Sequence, residues 1–253
     1  SLKEKLSQDY IIVDELNIIN FDFSPEFNRT IEQKQVAVQQ ALKAENDLRR
    51  IKIEAEQRVA QSGAEAQAIK MMSDAAASTY RLFGFECGVV PFDLCVEAEA
   101  LGCEINVYAH LEDITYPTIK KKLINNEDEM DIAIPPDLVQ RGRIPLLKEA
   151  IGLIKADIGN EVAVGTYVLG PFTLAGQIME LNDLLKLSFK KPDKIGKLLD
   201  TLAGVIINIA KEYEKSGIDY ITVREMGATS DVLSPRVFKN LILPYLKKIF
   251  AEL

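Results

Sequence analysis

A chain of 253 residues, 47% of them apolar, is long enough to bury a sizeable core as one large domain or two smaller ones. Its formal net charge of −8 argues against nucleic acid or an anionic membrane surface as the main partner. No apolar run approaches the ~18 residues of a membrane span, and Cys87, Cys95 and Cys103, without C-x-x-C spacing, read as buried thiols of a reducing cytoplasm rather than a zinc site.

The chain opens at Ser1, without Met and already in a helical pattern, as a fragment would. A short helix is predicted over 2–10 and a β-branched strand over 11–23. Ser24, Pro25 and Glu26 then open a helix: an N-cap, a proline at the first helical position and a carboxylate at the positive end of the dipole. No further Pro or Gly occurs before Gly63, and Glu45 with Arg49 and Glu54 with Arg58 are spaced as i, i+4 pairs. The heptad seam through Ile31, Val38, Glu45, Lys52 and Val59 is too polar for a strong two-stranded coil. A solvated helix lying along neighbours fits better and implies self-association through 25–68.

From about residue 70 the period changes. Apolar strands are predicted over 87–92, 161–170 and 220–224, between helices over 71–82, 144–158, 173–189, 192–215 and 234–253. Near-continuous apolar strands separated by amphipathic helices indicate a parallel sheet with covered faces. Gly217 stands where a helix C-cap would, and the polar, proline-containing stretch 105–140 reads as an excursion over one end of a barrel.

Parallel α/β proteins place ligands at the carboxyl ends of their strands. Asp93 follows the first strand, Gly170-Pro171-Phe172-Thr173 follows the second, and Glu225 ends the third. Asp93 and Glu225 would share one mouth and could hold or move protons, and Thr173 as an N-cap would leave backbone N–H groups facing the site. The competing structural roles are Asp93 capping a helix over 94–101 and Glu225 pairing with Arg224 or a lysine. Glu97 and Glu99 read as a solvated face, Cys95 and Cys103 as small core residues, and His110 as a surface or loop histidine. No Walker loop, dinucleotide fingerprint or nucleophile elbow is present.

Residues ~71–253 resemble the first part of the uroporphyrinogen decarboxylase superfamily, and within it the methylcobamide:coenzyme M methyltransferases. The resemblance rests on VPFDL at 90–94, VEAEALGC at 96–103, GPFTLA at 170–175, ATSDVLSP at 228–235 and LPYL at 243–246. The Arg-rich loop of the decarboxylases is missing, and Gln177 stands where they carry a Tyr, which disfavours a porphyrinogen substrate. The resemblance implies a (β/α)8 TIM-type barrel in which Asp93 lines the pocket; the site residues expected are catalytic Asp93 and Glu225 and substrate-binding Phe92, Pro171, Phe172, Thr173 and Gln177. It also implies a corrinoid methyl donor, free or on a corrinoid protein, and a small thiol activated by zinc. The family's zinc ligands, a His-x-Cys pair and a later Cys, belong to strands beyond the third. Because this chain stops at Leu253, the expectation is an incomplete barrel of about three strands that holds no zinc and is inactive alone.

Residues ~1–69 resemble the end of the band 7 (stomatin- and prohibitin-like, SPFH) domain and the start of its helical stalk. IIVDEL at 11–16, FDFSPEF at 21–27, IEQKQVA at 31–37, AENDLRR at 44–50 and EAEQR at 54–58 carry this. The expected organisation is therefore a 1–69 segment of short α+β and long helix, followed by a 70–253 partial barrel. A natural fusion, an engineered chimera or a misassembled frame would each join them. The alternative function is an oligomerising scaffold, cytoplasmic, with membrane association only if a band 7 anchor precedes it.

Overall fold

The computed structural model describes residues 2–12, 14–15, 24–90, 93–107 and 116–253, and the chain divides into two units, 1–61 and 62–253.

In the first unit, α1 spans Leu2–Ser7. Residues 11, 12, 14 and 15 are not in a strand, and the rest of the predicted strand lies outside the described residues. Helix α2, Pro25–Phe83, whose residues 25–61 belong to this unit and 62–83 to the second, begins as its sequence dictates, with the Ser24 hydroxyl accepting from the Phe27 amide at 3.3 Å. It runs on through Gly63, so the helices predicted to end near 62–68 and to restart at 71 are one. An isolated glycine costs only about 1 kcal/mol relative to alanine, and its Ala-, Gln- and Glu-rich surroundings outweigh that. Within the first unit the charge pairs among the described residues are Arg50 with Asp47 and Glu54, instead of Glu45–Arg49 and Glu54–Arg58. Exposed pairs differ by tenths of a kcal/mol, so spacing alone does not choose between them. No helix among the described residues is long and apolar enough to cross a membrane.

In the second unit, β1 (Cys87–Val89), β4 (Ala163–Leu169) and β5 (Tyr220–Arg224) form a parallel sheet in the order β1-β4-β5. Between β1 and β4 come α3 (Val96–Leu101), an antiparallel pair of β2 (Glu104–Asn106) and β3 (Thr118–Lys121), and α4 (Ile144–Ile158). After β4 follow α5 (Pro171–Ile178), α6 (Leu181–Lys190) and α7 (Pro192–Lys215). After β5 come α8 (Pro235–Val237) and α9 (Leu243–Glu252). Central β4 is buried from Val164 onward on both faces, which is why it lacks polar alternation. Its register pairs Gly165 with Val89 and Tyr220, Tyr167 with Thr222, and Leu169 with Arg224. Those residues share one face by the two-residue period of a strand. The other face meets α4, where a side chain on Gly88 would collide with Ile158. Helices α4 and α7 pack against β4 and each other through Leu147, Ile151, Ile154, Leu199 and Ile206, all buried.

Both helices and β5 keep the predicted limits, and Gly217, at φ +87°, closes the end of α7. Two predicted helices are broken. That over 173–189 starts earlier, at Pro171, and divides at Met179. There the backbone turns extended to pair with Ile124, and the Lys122 ammonium takes the Gly176 and Met179 carbonyls at 3.1 and 2.6 Å. The helix over 234–253 is interrupted by a π-helical turn, Phe238–Ile242, before Pro244, which has no N–H to continue the ladder. The predicted strand 87–92 is paired only to Val89; residues 91–92 lie outside the described set.

Candidate functional site

All three parallel strands deliver a polar group at their carboxyl ends. Beyond β1, the Val90 amide still donates to the Gly165 carbonyl at 3.0 Å, and Asp93 follows. Asp93 is 7% exposed, and its Oδ1 accepts from the Cys95 amide at 2.7 Å. It does not cap a helix over 94–101, because α3 starts only at Val96. The Asp93 carboxylate is instead held by Arg143, which precedes α4. Arg143 Nη1 donates to Oδ2 and Nη2 to Oδ1, while its Nε donates to Glu99 Oε2 at 2.7 Å. Burial alone would lower the Arg143 pKa, and the Asp93 and Glu99 carboxylates more than reverse that. Such a forked, charge-assisted contact fixes the plane of the carboxylate as well as its charge.

Glu97 is not on a solvated face: it is 1% exposed. Its Oε1 accepts from the Leu169 amide at the end of β4, at 2.9 Å, and its Oε2 has no partner among the described residues. Burial pushes its pKa up to about 7 against the opposing pull of the Leu169 N–H. Glu97 and Glu99 do point in different directions, but α3 packs against α4, α5 and α7, so no side of it is fully wet at Glu97.

Glu225 occupies the start of α5. Its Oε2 accepts from the Phe172 amide at 3.0 Å and its Oε1 from the Thr173 amide at 2.8 Å and from the Thr173 hydroxyl. Thr173 Oγ1 in turn accepts from the Gly227 amide at 2.8 Å. Thr173 is therefore not the N-cap. Gly170 holds that position, and the helix amides are filled by the carboxylate of Glu225, the residue after β5, favoured there by the helix dipole. A Cβ at Gly170 would lie 2.4 Å from Glu225 Oε2, so only glycine permits this approach. Burial raises the Glu225 pKa against these hydrogen bonds. Among the described residues Glu225 pairs with neither Arg224 nor a lysine. Arg224 instead lies 3.5 Å from the centroid of the Tyr167 ring.

The two clusters meet at the end of β4, where Leu169 is bound by Glu97 and the Gly170 amide donates to the Arg224 carbonyl at 2.8 Å. Of the remaining predicted site residues, Pro171 and Phe172 are buried and Gln177 is half-buried on the last turn of α5. Phe92 and His110 lie outside the described residues. Cys95 and Cys103 are buried core thiols, as expected, and burial pushes Cys95 up to about 11. Among the described residues no group of three His, Cys, Asp or Glu is arranged to hold a metal. Arg143, Glu97 and the Arg224–Tyr167 pair are the members that sequence reasoning missed. A cavity of about 410 Å³ between residues 124–127 and α6 shares no residue with this cluster and offers no comparable convergence of buried charge.

A parallel α/β sheet with buried carboxylates and a forked arginine at its carboxyl end defines an α/β protein with charged groups where such sheets bind ligands. Residues 52–253 match the model of the family described as uroporphyrinogen decarboxylase (URO-D), and the chain belongs to that family. A methylcobamide:CoM methyltransferase, MtaA, from Methanosarcina barkeri (strain Fusaro) is 32% identical over 72% of this chain and 52% of its own length. A methylated-thiol–coenzyme M methyltransferase from Methanosarcina mazei is 24% identical over 73% of this chain and 48% of its own. Among solved structures, a methyltransferase from Methanosarcina mazei superposes with a TM-score of 0.67 at 30% identity, covering 73% of this chain and 53% of that one. The chain thus spans about half the length of the relatives it matches. The family match begins within α2, at residue 52, and does not reach the residues before it.

Proposed function

We propose that this chain forms one wall of the ligand site in a methyltransferase of the methylcobamide:coenzyme M kind, built as the first strands of a (β/α)8 barrel. The observation that carries this reading is the convergence of Asp93–Arg143–Glu99, Glu97 and Glu225–Thr173 on the carboxyl ends of β1, β4 and β5. The ligands it implies are a small thiol and a methylcobamide, free or on a corrinoid protein, and the reading goes with a cytoplasmic location.

Zinc, which the family resemblance implies, would supply a thiolate at neutral pH by lowering the thiol pKa. The described residues do not fit it, since Cys95 and Cys103 are buried thiols with raised pKa values and no ligand cluster surrounds them. What this chain's residues do is bind and orient: Arg143 fixes Asp93 as an acceptor beyond the end of β1, and Glu225 and Glu97 hold the β4–α5 turn. Titration calorimetry with 2-mercaptoethanesulfonate tests this reading. Saturable binding is expected, weakened in Asp93→Asn and unchanged in the surface control Asp193→Asn. Equal affinity in both variants would contradict it.

A second reading, assembly through α2 in the manner of band 7 stalks, is favoured by the exposure of Ile31, Leu42, Leu48, Ile51 and Val59 along that helix. Apolar groups at that density on a solvated helix are best covered by another helix.

A further inference from the structure

The paired part of β1 ends at Val89, and further along β4 a side chain, Glu97, takes the Leu169 amide through its Oε1 at 2.9 Å. The second oxygen, Oε2, is buried and has no partner among the described residues. A carboxylate with one N–H donor and no water is costly to ionise. The cation that acts on it, Arg143, is already committed: both terminal nitrogens go to Asp93 and Nε goes to Glu99. Among the described residues the surrounding elements bring no replacement. Helix α5 carries no titratable side chain, and β4 and α7 bring the phenols of Tyr167 and Tyr213. The 3-10 turn Leu138–Gln140 is flanked by Asp137 and Arg141, which pair with each other. Asp93 and Glu99 add only negative charge. The two glutamates of α3 differ, however, in their access to water. The Glu99 side chain is 26% exposed, whereas Glu97 is buried. Released from Arg143, Glu99 can be rehydrated; an ionised Glu97 cannot.

We propose that Glu97 is a proton-controlled positioning residue: protonated, it leaves Arg143 on Asp93 and Glu99, and ionised, it draws the Nε edge of Arg143 off Glu99 and onto itself. The proton passes to a solvent base, and Glu99 takes water in place of the guanidinium, so only hydrogen bonds are exchanged. A guanidinium is planar and rigid, so it cannot turn its Nε edge without also turning the fork that holds Asp93. The proton on Glu97 therefore sets the plane of the Asp93 carboxylate. A second effect follows at the turn before α4. The Glu99 side chain lies over Gly142, where a Cβ would stand 3.0 Å from its Cγ and the backbone has φ +53°. Withdrawing Arg143 from Glu99 loosens that cover. The acid form of Glu97 prevails below about pH 7 and the ion above it. The switch belongs to the chain without ligand and stands apart from what the site binds.

The test is NMR of the full chain, without ligand, titrated from about pH 5 to about pH 9. In wild type the nuclear Overhauser contact of the Arg143 Nε proton should pass from the Glu99 side chain to that of Glu97. The Gly142 and Leu169 amides should shift with it in one common step. Glu97→Gln, which keeps the shape and cannot ionise, should hold the Glu99 contact across the whole range and lose the step. Glu99→Gln, a weaker competitor for the guanidinium, should move the step to lower pH. Circular dichroism at both ends of the range reports the fold. An Arg143 proton that stays with Glu99 throughout overturns the proposal. So does an exchange that persists in Glu97→Gln, or a step that Glu99→Gln leaves in place. Unfolding of wild type above about pH 7 that Glu97→Gln prevents also overturns it, because Arg143 has then not come to the ionised carboxylate.

Discussion

Arg143 closes on Asp93 with both terminal nitrogens of its guanidinium across a separation of 50 residues, and so joins the turn after β1 to the start of α4. The pair is well shielded, with side-chain exposures of 23% and 6%. Removing the arginine leaves a buried carboxylate uncompensated, the expensive way to break such a contact. Arg143→Met should therefore cost about 3 kcal/mol of unfolding free energy. Asp93→Asn, which removes the charge, should cost less. Urea midpoints at neutral pH check this, and a midpoint for Arg143→Met equal to wild type would refute it.

Glu97 should make stability fall as pH rises. Its folded pKa is raised to about 7, while an unfolded glutamate titrates near about 4.3. The folded state therefore binds the proton more tightly, and the contribution is fully present below about pH 4 and lost as pH climbs through about 7. Ionising the group in place costs on the order of 3 kcal/mol by about pH 8. Glu97→Gln should match wild type near pH 4 and exceed it near pH 8. Asp93, Arg143, Cys95, Tyr167 and Tyr213, the titratable groups around it, are common to both proteins and cancel in the difference. Parallel stability curves across that range would show that Glu97 does not ionise there.

At the β4–α5 turn, Glu225→Ala leaves the Phe172 and Thr173 amides without their acceptor and should cost about 2 kcal/mol. Gly170→Ala should destabilise as well, because its Cβ meets the Glu225 carboxylate. Combined in one chain, the two losses should be less than additive, since each removes the same contact. Additive shifts in thermal unfolding would mean that the two residues act separately.

For α2, Leu48→Glu with Val59→Glu should lower the mass measured by light scattering toward that of a monomer if helix-to-helix assembly occurs, with no change in helical content. An unchanged mass at two concentrations removes the scaffold reading.

Much of the fold was legible because burial writes a clear period. Helices α4 and α7 and strand β5 have the limits their apolar patterns predict, since both helices present one continuous buried face and the half-buried Ile221 and Val223 of β5 pack against the core. The break at Met179 was not legible. It comes from Ile124 and Lys122, more than fifty residues away, and no proline marks it. In the site, Asp93 and Glu225 could be placed by their position after apolar strands. Arg143 could not, because its partners are distant in sequence. Glu97 was misread for a plainer reason: in a short helix covered on several sides, a carboxylate is not evidence of solvent.

The central claim, that ligand binds at the carboxyl end of the β1-β4-β5 sheet, is tested most directly by amide NMR of the full chain during titration with 2-mercaptoethanesulfonate. The account predicts saturable shifts grouped at Asp93–Glu99, Gly170–Thr173 and Arg224–Gly227. Shifts confined to residues 124–127 and α6, or none at saturating thiol, would contradict it.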